Sequence, residues 1–235
     1  MAAALAGLLA GTACGGDGDA GGTAATTAPA TTSATPTPTP TPTGGQKATA
    51  EQRKAALLTV EDMPTGWSID EDDDDDSGPF GEGCAPLTAL EKKYPDEGDD
   101  AEIAFTQGEL GPLFGEEVSS LDTADEVSTR IADLKEALGE CPSFTYKDDR
   151  GATQRVTIAP VSFPTVGDES FAVRISVTFR GGRLGMTVVT ARVRNHVLVM
   201  TGMTLTTVAG SSQLPPKELE ELVGKAVEKA TTTLP

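Results

Sequence analysis

The sequence predicts an α+β fold: a twisted antiparallel sheet packed against helices as a sandwich, preceded by a disordered Thr/Pro-rich tether. Three observations predict it. Alternating apolar residues dominate residues 144–206, helical patterns lie before and after them, and residues 15–48 have no apolar periodicity. The predicted order is helices first, then a three- or four-stranded antiparallel meander, then a closing helix, and this order is typical of an α+β fold. We expect the helices to pack on one side of the sheet.

Two helices are predicted most clearly. Residues 123–138 carry an apolar stripe at helical spacing, begin at a capping Asp or Thr, and are followed by Gly139. Residues 216–231 begin with Pro in the first turn and carry a second stripe. Shorter helices are predicted at Ala50–Thr59 and Ala85–Lys93.

The strands are predicted from alternation and turn residues. In residues 171–180 apolar side chains occupy every second position, and Gly181-Gly182 after them is a hairpin signal. Residues 184–194 return along the hairpin, and residues 196–206 are apolar on both faces, which predicts a central strand. Four further candidates are Glu102–Gln107, Leu113–Ser120, Phe144–Lys147 and Arg155–Val161.

Composition excludes several classes of function. Of 235 residues, 36 are acidic and 18 are basic, so the formal net charge is −18 and we expect no nucleic-acid partner. One His and three Cys cannot supply a His-based or four-thiolate zinc site, and we expect no cofactor. The chain contains no Gly-x-Ser-x-Gly elbow and no phosphate-binding Gly-x-x-x-x-Gly-Lys loop. We therefore expect no catalytic residues.

Residues 1–14 form a short apolar run of small residues that ends in Cys14 and is followed by Gly15-Gly16-Asp17. The run is too short to span a bilayer and fits the apolar core of an export signal. It resembles a bacterial lipoprotein signal, which implies a diacylglyceryl group on Cys14. The resemblance predicts an exported protein anchored by its lipid to the outer face of the cytoplasmic membrane.

The segment after the cysteine, residues 15–48, is rich in Gly, Ala, Thr and Pro and ends in Thr-Pro repeats. It cannot bury enough apolar surface to offset its ordering entropy, and alternating Pro favours an extended tether. Residues 49–235 are then predicted to form a single extracytoplasmic domain.

With Cys14 lipidated, Cys84 and Cys141 remain. Exported proteins occupy an oxidising space, so we expect a disulfide between them, the alternative being two free buried thiols. Each cysteine stands at a predicted element boundary. The bridge would close a loop of about 58 residues and stabilise the fold by roughly 4 kcal/mol.

Two other groups of residues invite a chemical interpretation. The acids Asp70–Asp76 do not fit an EF-hand, because no reading frame places Gly sixth and Glu twelfth. These acids predict a solvated loop that binds divalent cations weakly and without specificity, if at all. His196 stands beside Asn195 at the edge of a predicted buried strand, as a structural histidine would. A hydrolase would need a nucleophile within hydrogen-bond reach of His196.

Charge is unevenly distributed along the chain. Residues 61–102 carry 16 acids and 2 bases, whereas residues 150–235 carry 6 acids and 10 bases. Five arginines of the predicted strands could share one outer face of the sheet and accept an anionic ligand. The alternatives are pairing with the acidic segment of the same chain, or a solvated face that protects the sheet. The five are Arg174, Arg180, Arg183, Arg192 and Arg194.

Several stretches together resemble small actinobacterial cell-surface lipoproteins and the extracellular sensor domain of some mycobacterial receptor kinases, the PknH-like extracellular domain. They are Ala55–Trp67, the pair Cys84 and Cys141, the helix before Cys141, Val166–Ser170, and Arg194-Asn195-His196-Val197 entering an apolar strand. This family often has Gly where the chain has Arg194. The resemblance implies an α+β sandwich with an exposed cleft and a non-catalytic sensing or ligand-binding role.

The partners expected from this resemblance are the membrane, through the lipid anchor, and an unidentified small molecule, lipid or cell-envelope component. An apolar-lined cavity of a few hundred cubic ångströms between sheet and helices would favour ligand binding. An envelope assembly protein acting through a contiguous apolar patch is the alternative. A PsbP-like lipoprotein fold is the structural alternative.

Overall fold

The structure is a computed structural model that describes residues 45–71, 83–95, 98, 100–108, 111–148, 151–207 and 210–235. Cys14, the predicted linker up to residue 44 and the acids Asp72–Asp76 lie outside the described residues. Of the helices in the described part, none combines the length and the hydropathy needed to span a membrane.

The described helices are α1 (Ala50–Ala56), α2 (Ala85–Lys93), α3 (Ala124–Glu140) and α4 (Pro216–Thr233), with a 3-10 turn at Val60–Asp62. The strands are β1 (Ser68–Ile69), β2 (Ala101–Thr106), β3 (Leu113–Ser120), β4 (Ser143–Lys147), β5 (Thr153–Pro160), β6 (Glu169–Phe179), β7 (Gly182–Val193), β8 (His196–Thr207) and β9 (Gly210–Ser212). The predicted α+β fold is confirmed.

Within the described residues the nine strands form one antiparallel sheet in the order β1-β2-β3-β8-β7-β6-β5-β4, with β9 added beside β8. Strands β4 to β8 make a five-stranded meander, whereas the sequence predicts three or four strands. The longest pairings, β6 with β7 and β7 with β8, lie at its centre. Strand β3 joins the meander by pairing with β8 along its whole length, so β8 is a central strand as predicted.

Helices cover both faces of the sheet, so the expectation of helices on one side is wrong. On the α3 face, α2 and α3 pack over residues of β5 to β8 such as Ile175 and Val199. On the α4 face, α1 and α4 pack over β2, β3 and the opposite side of β7 and β8, including Val189 and Met200. Strands β7 and β8 are buried at consecutive positions, and this double burial requires a layer on each side.

Helix α3 begins as predicted, because the Thr123 side chain accepts a hydrogen bond from the Glu126 N–H at 3.2 Å. Its end lies further along than expected. The helix continues through Gly139 to Glu140, and Cys141 is the C-cap residue. Gly139 has helical geometry, and a Cβ there would meet no atom within 4 Å. The glycine therefore leaves space beside the last turn of α3 instead of ending the helix.

Residues 45–48, which are predicted as the end of the linker, pack against the domain. The Gln46 carbonyl accepts a bond from the Asn195 side chain at 3.4 Å, and Lys47 lies 3.3 Å from Asp122. Ala48 is buried, and its carbonyl accepts a bond from Arg53 at 2.6 Å. The described chain therefore enters the domain beside the turn between β7 and β8.

Candidate functional site

Two cavities lie between the sheet and the helices, one on each face. The first is a cleft of about 250 Å³ on the α4 face, which we call the arginine cleft. Its floor comes from β6, β7 and β8, and its walls from residues 161–163 and from the start of α4, residues 213–220. Because strands and helix place its lining, the cleft is a preformed feature of the fold.

The floor of the arginine cleft spans three cross-strand rows, and short residues form its middle. Ser176, Gly185 and Thr204 lie opposite one another on β6, β7 and β8, and Thr187 and Gly202 continue the next row. Small residues at these positions leave the volume that larger ones would fill. Single glycines inside strands are the sequence signal for such a site, because they mark close approach of other atoms.

Arg174 and Arg183 occupy the two outer rows of the cleft. Arg183 Nη2 donates to Ser176 Oγ at 2.9 Å, which holds the guanidinium over the floor. Arg174 is exposed and makes no hydrogen bond or ion pair with any residue that the structure describes. Glu220 stands on the opposite wall. Helix α4 begins at the cleft without a side-chain cap, so its positive end adds to the arginines.

The other three predicted arginines do not share this face. Arg192 points to the α3 face, where it lies 3.2 Å from Asp168 and 3.6 Å from Glu169. Arg180 belongs to the hairpin between β6 and β7 and does not line the cleft. The single predicted face is therefore wrong. Arg183 and Arg192 stand nine positions apart on one strand, and an odd spacing puts two side chains on opposite faces.

Arg194 occupies the turn between β7 and β8 with a φ of 56°, in the left-handed region that favours glycine. Its guanidinium donates to the carbonyls of Leu234 at 2.7 Å and Thr231 at 3.1 Å. These are carbonyls at the C-terminal end of α4, which have no partners within the helix. The side chain therefore gives this turn an interaction that glycine could not supply.

The second cavity, the apolar cavity, has a volume of about 490 Å³ and lies at the C-terminal end of α3, over β5 and β6. Residues 161–163 form a wall of both cavities. Most of its lining is apolar, and Lys135 is the one charged residue in it. The lining comprises Lys135, Leu138, Gly139, Pro142, Ile158, Pro160, Val161, Ser162, Phe163, Ser170, Phe171, Ala172 and Val173.

His196 is buried and its Nδ1 atom lies 2.8 Å from the Ser120 hydroxyl, so the hydrogen-bond condition for a hydrolase is met by a serine. The other ring nitrogen lies 3.4 Å from the Pro235 carbonyl. Burial lowers the pKa of His196, which favours the neutral ring. Both side chains are buried, and neither Ser120 nor His196 lines the arginine cleft or the second cavity described above.

A buried carboxyl on β3 was not predicted from the sequence. Glu116 Oε2 accepts a hydrogen bond from the Leu58 N–H at 2.8 Å, and Oε1 has no hydrogen-bond partner among the described residues. Burial raises the pKa of Glu116 to about 7. Glu116 lies in a strand that is buried along almost its whole length, and the local sequence Gly115-Glu116-Glu117 gives no sign of that burial.

Cys84 and Cys141 form a disulfide that joins the N-cap of α2 to the C-cap of α3. The described residues contain no group of three or more His, Cys, Asp or Glu arranged to hold a metal ion. The exposed large apolar side chains in the described part are Val60 and Ile69. The two cavities are therefore the features most suited to binding a ligand.

No protein-family model matches this chain, and no curated protein matches it. Among solved structures, the chain is similar to the crystal structure of the extracellular domain of PknH from Mycobacterium tuberculosis. The fold is PknH-like. The TM-score is 0.52 at 14% sequence identity, over 80% of this chain and 100% of that one. At this identity the PknH likeness is a likeness of fold, and it agrees with the resemblance noted from the sequence.

Proposed function

We propose that the protein is a membrane-anchored extracytoplasmic lipoprotein whose domain binds a small anionic ligand in the arginine cleft without catalysing a reaction. The observation that carries the proposal is the Arg174 guanidinium, exposed in a preformed cleft without a described partner, beside Arg183. The PknH-like fold supports a sensing role, because the solved relative is an extracellular domain. Cys14 and the Thr/Pro-rich linker supply the expected anchor.

The cleft defines the chemistry of the ligand. Two guanidinium groups favour a carboxylate or phosphate, which each can bind through two parallel hydrogen bonds. Phe163, Leu214 and Leu219 also line the cleft and would contact an apolar part of the ligand. A volume of about 250 Å³ suits a small molecule instead of a peptide. The expected ligand is a small organic anion with one apolar group.

The proposal is preferred to an envelope assembly role because Val60 and Ile69 are the exposed large apolar residues of the described part, and two such side chains offer little apolar surface. An assembly protein acting through an apolar patch would need a contiguous exposed surface. The cavities therefore favour ligand binding.

The test is a titration of the full chain, carrying Cys14→Ser to prevent lipidation, with benzoate, phenyl phosphate and neutral benzyl alcohol. Backbone amide signals of Gly185 and Gly202 report on the cleft floor in ¹H–¹⁵N spectra. We expect saturable shifts with the anions and none with the alcohol. Arg174→Gln combined with Arg183→Gln should weaken binding by about tenfold or more, since each charge-assisted hydrogen bond contributes about 1.5–3 kcal/mol.

Arg180→Gln is the matched control, since it removes the same charge from the same hairpin outside the cleft. Equal loss of affinity in Arg180→Gln and in the double variant would contradict a site at Arg174 and Arg183. Native mass spectrometry of the protein purified from its own host then identifies the natural ligand, and a neutral ligand would argue against the proposal.

A further inference from the structure

The apolar cavity originates in a mismatch of strand lengths. Strand β5 ends at Pro160, whose partner on β6 is Val173, whereas β6 begins four residues earlier at Glu169. The Val161 N–H still bonds to the Ala172 carbonyl at 3.0 Å, and the chain then leaves the edge of the sheet. The first part of β6 therefore lacks a β5 neighbour, and the layer between α3 and the sheet stays open there.

Gly139 borders this opening on the side of the helix and is itself exposed. It lies in the last turn of α3, lines the cavity, and has no atom within 4 Å of the place where a Cβ would stand. Glycine in a helix costs roughly 0.5–1 kcal/mol relative to alanine. A residue with a side chain would fit there and would stabilise the helix, so a larger residue at this rim position is a way to narrow the cavity without unfolding the protein.

The lining of the apolar cavity contains one charged side chain, which is a cation. Lys135 lines the cavity one turn before Gly139 and is exposed. It makes no hydrogen bond or ion pair with any residue of the described part. The remaining lining residues are neutral, and Leu138, Ile158 and Val173 among them are buried in the α3-face core. The site thus combines an apolar interior with one ammonium group able to pair with an anion.

We propose that the apolar cavity binds one long-chain fatty acid, with the acyl chain against Leu138, Ile158 and Phe171 and the carboxylate paired with Lys135. An apolar cavity of about 150 Å³ holds benzene. The cavity volume of about 490 Å³ therefore accommodates roughly three times that, which is an acyl chain of about 12 to 18 carbons. This site is separate from the arginine cleft, because the sheet lies between them and residues 161–163 form the shared wall.

The test uses the Cys14→Ser full chain and isothermal titration with dodecanoate below its micelle concentration. Dodecanol and dodecyltrimethylammonium carry the same chain with a neutral and a cationic head, and hexanoate carries the same head on a short chain. We expect saturable one-to-one binding of dodecanoate, weaker binding of dodecanol, and the weakest binding for dodecyltrimethylammonium and hexanoate. No saturable binding of dodecanoate would overturn the proposal, as would equal affinity for the three heads.

Gly139→Leu fills the cavity at a position where the structure has room for a side chain, and it should weaken dodecanoate binding by about tenfold or more while raising the melting temperature. Gly224→Leu is the matched control, because Gly224 is also helical with no atom within 4 Å of its Cβ position but lies in α4 away from both cavities. Equal affinity in the two variants would overturn the proposal.

Lys135→Met should weaken dodecanoate binding by about three- to tenfold and leave dodecanol binding unchanged, since a partly exposed ion pair contributes up to about 1 kcal/mol. The Arg174→Gln, Arg183→Gln double variant should bind dodecanoate as the parent does. If it lost dodecanoate binding while Gly139→Leu kept it, the acyl chain would lie in the arginine cleft, and the proposed second site would be overturned. Because the double variant alters only the arginine cleft, it also distinguishes a failure of fatty-acid binding in the apolar cavity from a failure of anion binding in the arginine cleft.

Discussion

The Ser120 hydroxyl and the Nδ1 atom of His196 lie 2.8 Å apart and join two residues that are opposite partners on β3 and β8. Both side chains are buried, and the second ring nitrogen lies beside the Pro235 carbonyl. The pair therefore connects β3, β8 and the residues after α4 at one end of the domain. Its position favours a structural role.

Ser120→Ala should lower the free energy of unfolding by about 1–3 kcal/mol, because it leaves a buried ring nitrogen without its partner. Urea denaturation measures the change. Ser119→Ala is the control, since Ser119 is also buried but its hydroxyl makes no hydrogen bond with a described residue. Hydrolysis of p-nitrophenyl acetate should be the same in both variants and the parent protein. Loss of an activity in Ser120→Ala alone would instead support a catalytic pair.

Glu116 should make the protein more stable as the pH falls from about 7 to 4.5. Its pKa is raised from 4.5 to about 7 in the folded state, so the folded state holds a proton over this range that the unfolded state has lost. Glu116→Gln keeps an oxygen for the Leu58 N–H and cannot ionise. The variant should be more stable than the parent at pH 8 by up to about 3 kcal/mol and should lose the dependence on pH.

Chemical denaturation at several pH values tests this prediction. His196 acts in the opposite sense: because burial lowers its pKa, its contribution is lost as the pH falls below about 6.5. The variant must therefore be compared with the parent at each pH. Glu136→Gln on the exposed side of α3 is the control. A parental pH dependence in Glu116→Gln would show that another group is responsible.

Arg194→Ala and Arg194→Gly should both destabilise the fold, with Ala the more damaging. Each removes the bonds from the guanidinium to the carbonyls at the end of α4, but only glycine relieves the positive φ. We expect Ala to be less stable than Gly by about 1 kcal/mol. Thermal or urea unfolding gives the order. A glycine variant more stable than the parent would mean that the guanidinium contributes less than the strain costs.

Removal of the disulfide by Cys84→Ser with Cys141→Ser should cost about 4 kcal/mol, since the bridge closes a loop with a sequence separation of 57 residues. Urea unfolding of the variant, and of the parent with and without reductant, measures this. The reduced parent should match the double variant. A parent that is unaffected by reductant would show that the bridge does not form in the protein.

Cys14→Ala should move the protein from the membrane fraction to the soluble fraction of the cells that export it. The physical reason is that the acyl chains on this cysteine are the expected membrane attachment. Fractionation with detection of the folded domain is sufficient, and Cys84→Ser with Cys141→Ser serves as a cysteine control that should stay membrane-bound. Retention of the Cys14→Ala protein in the membrane would refute anchoring through this residue.

Elements with a strong local pattern could be predicted from the sequence. The strand Leu113–Ser120 has the predicted bounds, and the stripe of α3 faces the core as its spacing requires. The pairing of β3 with β8 could not be predicted, because the two strands lie more than 70 residues apart and no local signal sets their register. Without that pairing, the second helical layer on the α4 face was also missed.

Of the two cavities, one could be predicted in part from the sequence and the other could not. Arg174 and Arg183 were predicted as a candidate anion site from their places on a strand and its hairpin partner, and they do line one cleft. The apolar cavity depends on where β5 stops relative to β6, which is a property of the fold and leaves no motif. Gly139 was interpreted as a helix terminator because local rules cannot distinguish a glycine that ends a helix from one that leaves space beside it.

The described chain enters the domain beside Asn195, at one end of the central strands. Gln46 contacts Asn195 just before β8, whereas Thr204 in the arginine cleft lies nine residues further along the chain, about 30 Å away at the usual rise of a strand. A tether that pulls on residues 45–48 therefore holds the domain by the end remote from the cleft. In a lipid-anchored protein the tether would therefore join the domain away from the arginine cleft and leave the mouth of the cleft clear.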